Sequence, residues 1–88
     1  MRILLDQGTP APLRRALADH SVATETSFDV FITTDQNVRY QQNLTGRPLA
    51  ILVLPTTSWP RLQPHAAAIA TAVVALRPGE LREWSFPD

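Results

Sequence analysis

The stretch Ile3-Leu4-Leu5-Asp6-Gln7-Gly8-Thr9-Pro10 decides the fold class. Three apolar residues in an unbroken run suit a strand that is covered on both faces, as in a parallel sheet. The run stops at an acid. Gly8 supplies a turn, Thr9 a capping hydroxyl, and Pro10 fits the first helical position, so the spacing predicts a helix over residues 10–19 with Leu13, Ala16 and Leu17 on one face. A strand feeding straight into a helix is the opening of a βα unit, and hence of an α/β fold.

Working outward, residues 29–34 read as a second clear strand through Val30, Phe31 and Ile32, again finished by an aspartate, Asp35. Residues 20–24 offer a short strand around Val22, and the polar stretch 36–42 a helical turn before Gly46 and Pro48 break the chain. Residues 49–54, Leu-Ala-Ile-Leu-Val-Leu, form the strongest buried strand of the sequence. After a Pro-Thr-Thr-Ser loop, Pro60 or Pro64 opens a helix that carries Ala68, Ile69, Ala72, Val73 and Leu76 at helical spacing. Arg77, Pro78 and Gly79 end it, and residues 80–86 alternate as an edge strand, with Leu81 and Glu83 against Arg82 and Trp84.

Strand, helix, strand, strand, turn, strand, helix, strand is the order of a doubly wound α/β layer, in which parallel neighbours need right-handed crossovers. One joint breaks the pattern. A parallel crossover takes about a dozen residues, whereas only Glu25, Thr26, Ser27 and Phe28 separate the stretch 20–24 from the strand that follows. Three explanations are open: a helical segment that belongs between Thr24 and Phe28 is missing from this chain, the protein is truly shortened, or 20–24 pairs antiparallel in a hairpin. The missing segment is favoured. A truly shortened protein would expose a sheet edge and so favour a homodimer.

The 88 residues have room for a single domain near the small end of what an apolar core stabilises. Cysteine is absent, so disulfides and thiolate metal sites are excluded, and any metal must be held by oxygen or imidazole. Eight basic and eight acidic side chains cancel, which excludes a general electrostatic clamp for nucleic acid while leaving room for a local arginine patch. The apolar runs at residues 3–5 and 66–76 are too short for a signal peptide or a spanning helix, so the chain reads as cytoplasmic with no membrane partner.

Ligands in α/β sheets bind outside the carboxyl ends of the strands, and Asp6 and Asp35 both stand immediately beyond apolar strands. If those strands are neighbours, the two carboxylates share one crevice. Hard divalent cations take carboxylate oxygens and keep several waters, and such a site supports metal-assisted attack of water on a phosphodiester. The ordinary alternative is that Asp6 caps a turn and Asp35 starts one.

The opening motif, taken with Val30-Phe31-Ile32-Thr33-Thr34-Asp35-Gln36-Asn37 and the closing Pro78-Gly79-Glu80, resembles the short bacterial PIN-like proteins. The first motif has the form of an apolar strand, an acid and a small-Pro turn into a helix; the second has the form Thr-x-Asp-x-Asp or Asn. The resemblance implies one PIN-like domain over residues 1–88, a small three-layer α/β fold with a mainly parallel central sheet and one crossover helix missing or shortened. It implies a magnesium or manganese site and cleavage of single-stranded RNA, as by the toxin half of a toxin and antitoxin pair, with the cognate antitoxin as partner. Asp6 and Asp35 would be the catalytic acids and metal ligands, and Asn37, where relatives carry another acid, would bind through a neutral oxygen or a water. Gln7, Thr33 and Arg39 would support them, Thr33 by orienting a carboxylate or a water and Arg39 by meeting a phosphate. Such proteins place a further acid on the helix between the second and third strands, in the segment lacking here. Without it, two carboxylates hold metal poorly.

The rival expectation is a non-catalytic interaction module that keeps the fold and self-associates through a sheet edge. Trp59 is expected to anchor the last helix and Trp84 to cover a sheet edge, with contact to a partner an equal alternative for both. His20 and His65 are too far apart for a zinc pattern, and no serine has the glycines of a nucleophile elbow.

Overall fold

The computed structural model describes residues 3–19, 28–36 and 48–87. Four strands, β1 (Ile3–Leu5), β2 (Asp29–Thr33), β3 (Leu49–Val53) and β4 (Leu81–Glu83), form one sheet in the order β1-β2-β3-β4. Every pairing is parallel, with Leu4 opposite Phe31, Ile32 opposite Leu52, and Val53 opposite both Thr33 and Glu83. Every carboxyl end therefore lies on one rim. Among the described residues the strand order does not reverse, so this part of the sheet is singly wound.

β3 is buried along its whole length, as its run of aliphatic residues requires. Val30, Ile32, Ala50 and Leu52 face one core, closed by Leu13 and Leu17 of α1 (Pro12–Asp19) and by Ile69 and Val73 further along the chain. Phe31, Leu49, Ile51 and Val53 alternate to the opposite face and form a second apolar cluster.

Two helix starts differ from the sequence expectation. Helix α1 begins at Pro12, not at Pro10, because Thr9 does not cap it. The Thr9 hydroxyl instead donates to the Ile32 carbonyl at 3.1 Å, and its N–H donates to the Asp6 carbonyl at 2.9 Å, so the loop is spent on binding to the sheet. Pro10 and Ala11 then form a tight lead-in, and the second proline takes the first helical position. The last helix uses both candidate prolines: α2 (Trp59–Leu62) has Pro60 in its first turn, a 3₁₀ turn at Gln63–His65 contains Pro64, and α3 (Ala66–Ala75) follows. Pro64 has no N–H for a continuous α-ladder, which tightens the chain at that point. The buried face of α3 is Ala66, Ile69, Ala70 and Val73, while Ala68, expected inside, is exposed.

The turn into β4 is dictated by Pro78-Gly79. Gly79 has φ 82°, and the Glu80 N–H donates to the Arg77 carbonyl at 3.0 Å, the geometry of a type II turn with proline second and glycine third. Glu80 reinforces it by accepting the Arg77 N–H on Oε1 at 2.9 Å and the Arg82 Nε–H on Oε2 at 2.8 Å. β4 covers three residues rather than seven, and the chain continues along the rim through Trp84, whose N–H donates to the Val53 carbonyl at 2.8 Å. The expected strand and hairpin at 20–24, the gap before Phe28 and most of the helical turn at 36–42 lie outside the described residues. No helix among the described residues is long and apolar enough to cross a membrane.

Candidate functional site: two aspartates on one hydroxyl

β1 and β2 are neighbours, so their carboxyl ends meet. The Asp6 N–H donates to the Ile32 carbonyl at 2.9 Å, which carries the pairing one residue past β1 and sets Asp6 beside Thr33. Alternation then points the Asp6 and Thr33 side chains to the same face, the one carrying Phe31 and Val53.

Thr33 is fully buried and is the joint of the site. Its hydroxyl donates to Asp6 Oδ2 at 2.7 Å and accepts the N–H of Asp35 at 3.1 Å. One oxygen thereby fixes the orientation of the first acid and the backbone of the second. Asp6 Oδ1 accepts the Gln7 N–H at 2.8 Å. Gln7 therefore supports the site through its backbone, while its side chain is exposed. Each Asp6 oxygen has accepted one hydrogen bond and retains a lone pair for a cation or a water.

The loop beyond β2 is tied down from its other side. Gln36 Nε2 donates to the Leu54 carbonyl at 2.6 Å and to the Thr34 carbonyl at 3.2 Å, so Asp35 is carried between anchors on β2 and beyond β3. Gly8 lies close to Thr34, where a Cβ would come 3.4 Å from the Thr34 hydroxyl. The two strand-end loops thus pack against each other.

No protein-family model, curated protein or solved structure matches this chain. The ionisable donors that the rim offers are carboxylate oxygens, a hard set that fits magnesium or manganese and not a metal that selects thiolate or imidazole. Among the described residues no third His, Cys, Asp or Glu joins it to make a group of three. Asn37 and Arg39 lie outside the described residues.

Of the expected site residues, Asp6, Thr33 and the Asp35 backbone are brought together, while the bonds made by Thr9 and Gln36 were not anticipated from the sequence. A polar residue that follows a strand-end acid by three positions, as Thr9 follows Asp6, or by one, as Gln36 follows Asp35, is a signal for them only once the strands are known to be neighbours. Asp29, at the opposite end of β2, is fully buried and lies far from this rim along the strand.

A second cluster occupies the same rim beyond β3 and β4. The His65 ring lies 5.6 Å from Trp84 and 5.1 Å from Phe86 by ring centroids, and Trp84 and Phe86 meet edge to face at 5.2 Å. The Arg61 guanidinium sits 4.9 Å from the Phe86 ring centroid. Trp59 and Trp84 also pack, partly buried, against the main core, which agrees with the expected anchoring of the last helix by Trp59.

Proposed function

We propose that this chain is a PIN-like domain that hydrolyses single-stranded RNA with magnesium or manganese, Asp6 and Asp35 being its metal ligands and catalytic acids. The observation that supports the reading is the Thr33 hydroxyl, which binds the Asp6 carboxylate and the Asp35 backbone N–H on the rim where parallel sheets bind ligands. A hard divalent cation bound there supplies a water of lowered pKa and neutralises charge developing on the phosphate. The residues of the chain do the rest: Thr33 and the Gln7 N–H hold the Asp6 carboxylate in one rotamer, and Gln36 holds the loop that bears Asp35. Preorganised ligands of this kind lose little entropy on binding a cation. Two carboxylates make a weak site, so the cation is expected to be completed by waters and by phosphate oxygens of the substrate. A role as the toxin of a toxin and antitoxin pair, with its cognate antitoxin as partner, belongs to the same reading.

The test is cleavage of a single-stranded RNA with manganese or magnesium present and after chelation. Cleavage that requires the metal and disappears in Asp6→Asn and in Asp35→Asn supports the proposal. Cleavage that persists in both variants ends it.

The rival, a module that pairs through a sheet edge, has one specific point against it. β4 is only three residues long and carries Arg82 and Glu83, the short and charged form of edge that resists pairing.

A further inference from the structure

We infer that Arg61, His65, Trp84 and Phe86 form a subsite for a base and its phosphate in a single-stranded polynucleotide that also passes the two aspartates; the inference rests on the nuclease reading for the identity of that strand. The topology puts the two places on one rim. Thr33 is opposite Val53, and the Val53 carbonyl accepts the Trp84 N–H, so Trp84 stands two strand spacings, about 10 Å, from Thr33. Thr33 faces the second apolar cluster, while Trp84 and Phe86 pack toward the α1 and α3 side. A bound strand would therefore cross over the rim from one sheet face to the other.

The chemistry of the cluster selects a flat, acceptor-rich, anionic ligand. Three rings meet at angles of 58°, 70° and 75°, which leaves ring faces that are not stacked on one another. His65, Trp84 and Phe86 are each half-buried, so their outer surfaces are accessible. Single-stranded nucleic acids bind by stacking bases on such rings, aided by arginine. Arg61 is exposed, and its contact among the described residues is with the Phe86 ring. The ring holds the guanidinium in place while its N–H donors stay open for a phosphate, which they match in geometry. The contrast with Arg82 is informative: that guanidinium is already engaged by Glu80 at 2.7 Å. A purely structural role for the cluster would need the ring packing but not the open cation.

The experiment measures binding of a short fluorescent oligouridylate in chelator, where no cleavage occurs, as a function of salt. Trp84→Leu should weaken binding roughly 5- to 100-fold, the range of one lost base stack. Trp84→Phe should restore most of it. Arg61→Gln, an exposed change that spares the fold, should weaken binding and lower the slope of log K against log salt by about 0.7, the signature of one phosphate contact with a single strand. Unchanged affinity and salt slope in Arg61→Gln, or unchanged affinity in a folded Trp84→Leu protein, overturns the subsite, as does failure of the parent protein to bind. The two readings separate cleanly. Metal-dependent cleavage lost in Asp6→Asn while the cluster variants bind normally leaves the nuclease without this subsite. Binding that depends on Arg61 and Trp84 in a protein that cleaves nothing leaves the subsite without the nuclease.

Discussion

The Thr33 hydroxyl donates to Asp6 Oδ2 at 2.7 Å across the junction of β1 and β2, two residues that stand 27 positions apart in sequence. That bond ties the carboxyl ends of two neighbouring strands together, and it does so from a position with no exposure to solvent. Removing it separates orientation from charge. Thr33→Val keeps the shape of the side chain and both carboxylates but leaves Asp6 held only by the Gln7 N–H and the Asp35 N–H without its Thr33 acceptor. Manganese affinity, read by calorimetry or electron paramagnetic resonance, should fall about 10- to 100-fold, as it does when a residue supporting a metal ligand is lost. Thr33→Ser should retain most of the affinity. Equal affinities in Thr33→Val and the parent protein would show that Asp6 needs no positioning.

The glycines make opposite predictions. Gly79 adopts φ 82°, where a side chain is strained even though no atom lies within 4 Å of an added Cβ, so Gly79→Ala should cost about 1–2 kcal/mol in urea unfolding. Gly8 has no such φ, and its added Cβ would make only an ordinary contact at 3.4 Å with the Thr34 hydroxyl. Gly8→Ala should therefore be neutral or raise stability by up to about 0.5 kcal/mol through the unfolded chain. A reversed order of the two midpoints would refute the turn assignment.

Helix α3 tests the core assignment. Ile69 is fully buried in the main cluster, and Ile69→Ala should destabilise by about 2–5 kcal/mol, a large fraction of what a domain of this size possesses. Val74 is 57% exposed on the same helix, so Val74→Ala should stay within about 0.5 kcal/mol of the parent. Denaturant midpoints decide it.

These cases show where the sequence was informative. The strands at 3–5, 29–33 and 49–53 were legible because short apolar runs bounded by polar or turn residues have few other uses in a small α/β chain. The aspartates were legible as strand-end acids: Asp6 directly follows its apolar run, and Asp35 stands two residues past the end of β2. What escaped was everything that depends on a partner across the sheet. Thr9 has the form of a cap until the Ile32 carbonyl is placed within its reach, and Pro10 loses its helical position as a consequence. Ala68 satisfied the spacing of a buried face as well as Ala66 and Ala70 did, because an alanine-rich helix has little contrast between its sides, whereas Ala72 does pack against the core. The aromatic cluster was invisible, since His65 and Trp84 are brought together only by the crossover from β3 to β4.

Acid should weaken the turn into β4. The Glu80 carboxyl is held below its ordinary range, chiefly because it accepts the Arg77 N–H, with Arg82 adding to the effect and partial desolvation opposing it. A carboxylate whose folded pKa is depressed stabilises the fold above its unfolded pKa, and that contribution is lost as pH falls through the folded value. Unfolding midpoints measured from neutral pH downward should thus decline through and below the usual carboxylate range. In Glu80→Gln the midpoint at neutral pH should be lower and the decline shallower, since the group that takes up the proton is gone while the amide oxygen still accepts from Arg77. Because Glu80 lies at the surface the effect should be small and should shrink further at high salt, where the Arg82 pair is screened. Parallel acid limbs for the two proteins, at low and at high salt, would show that Glu80 does not couple protonation to this turn.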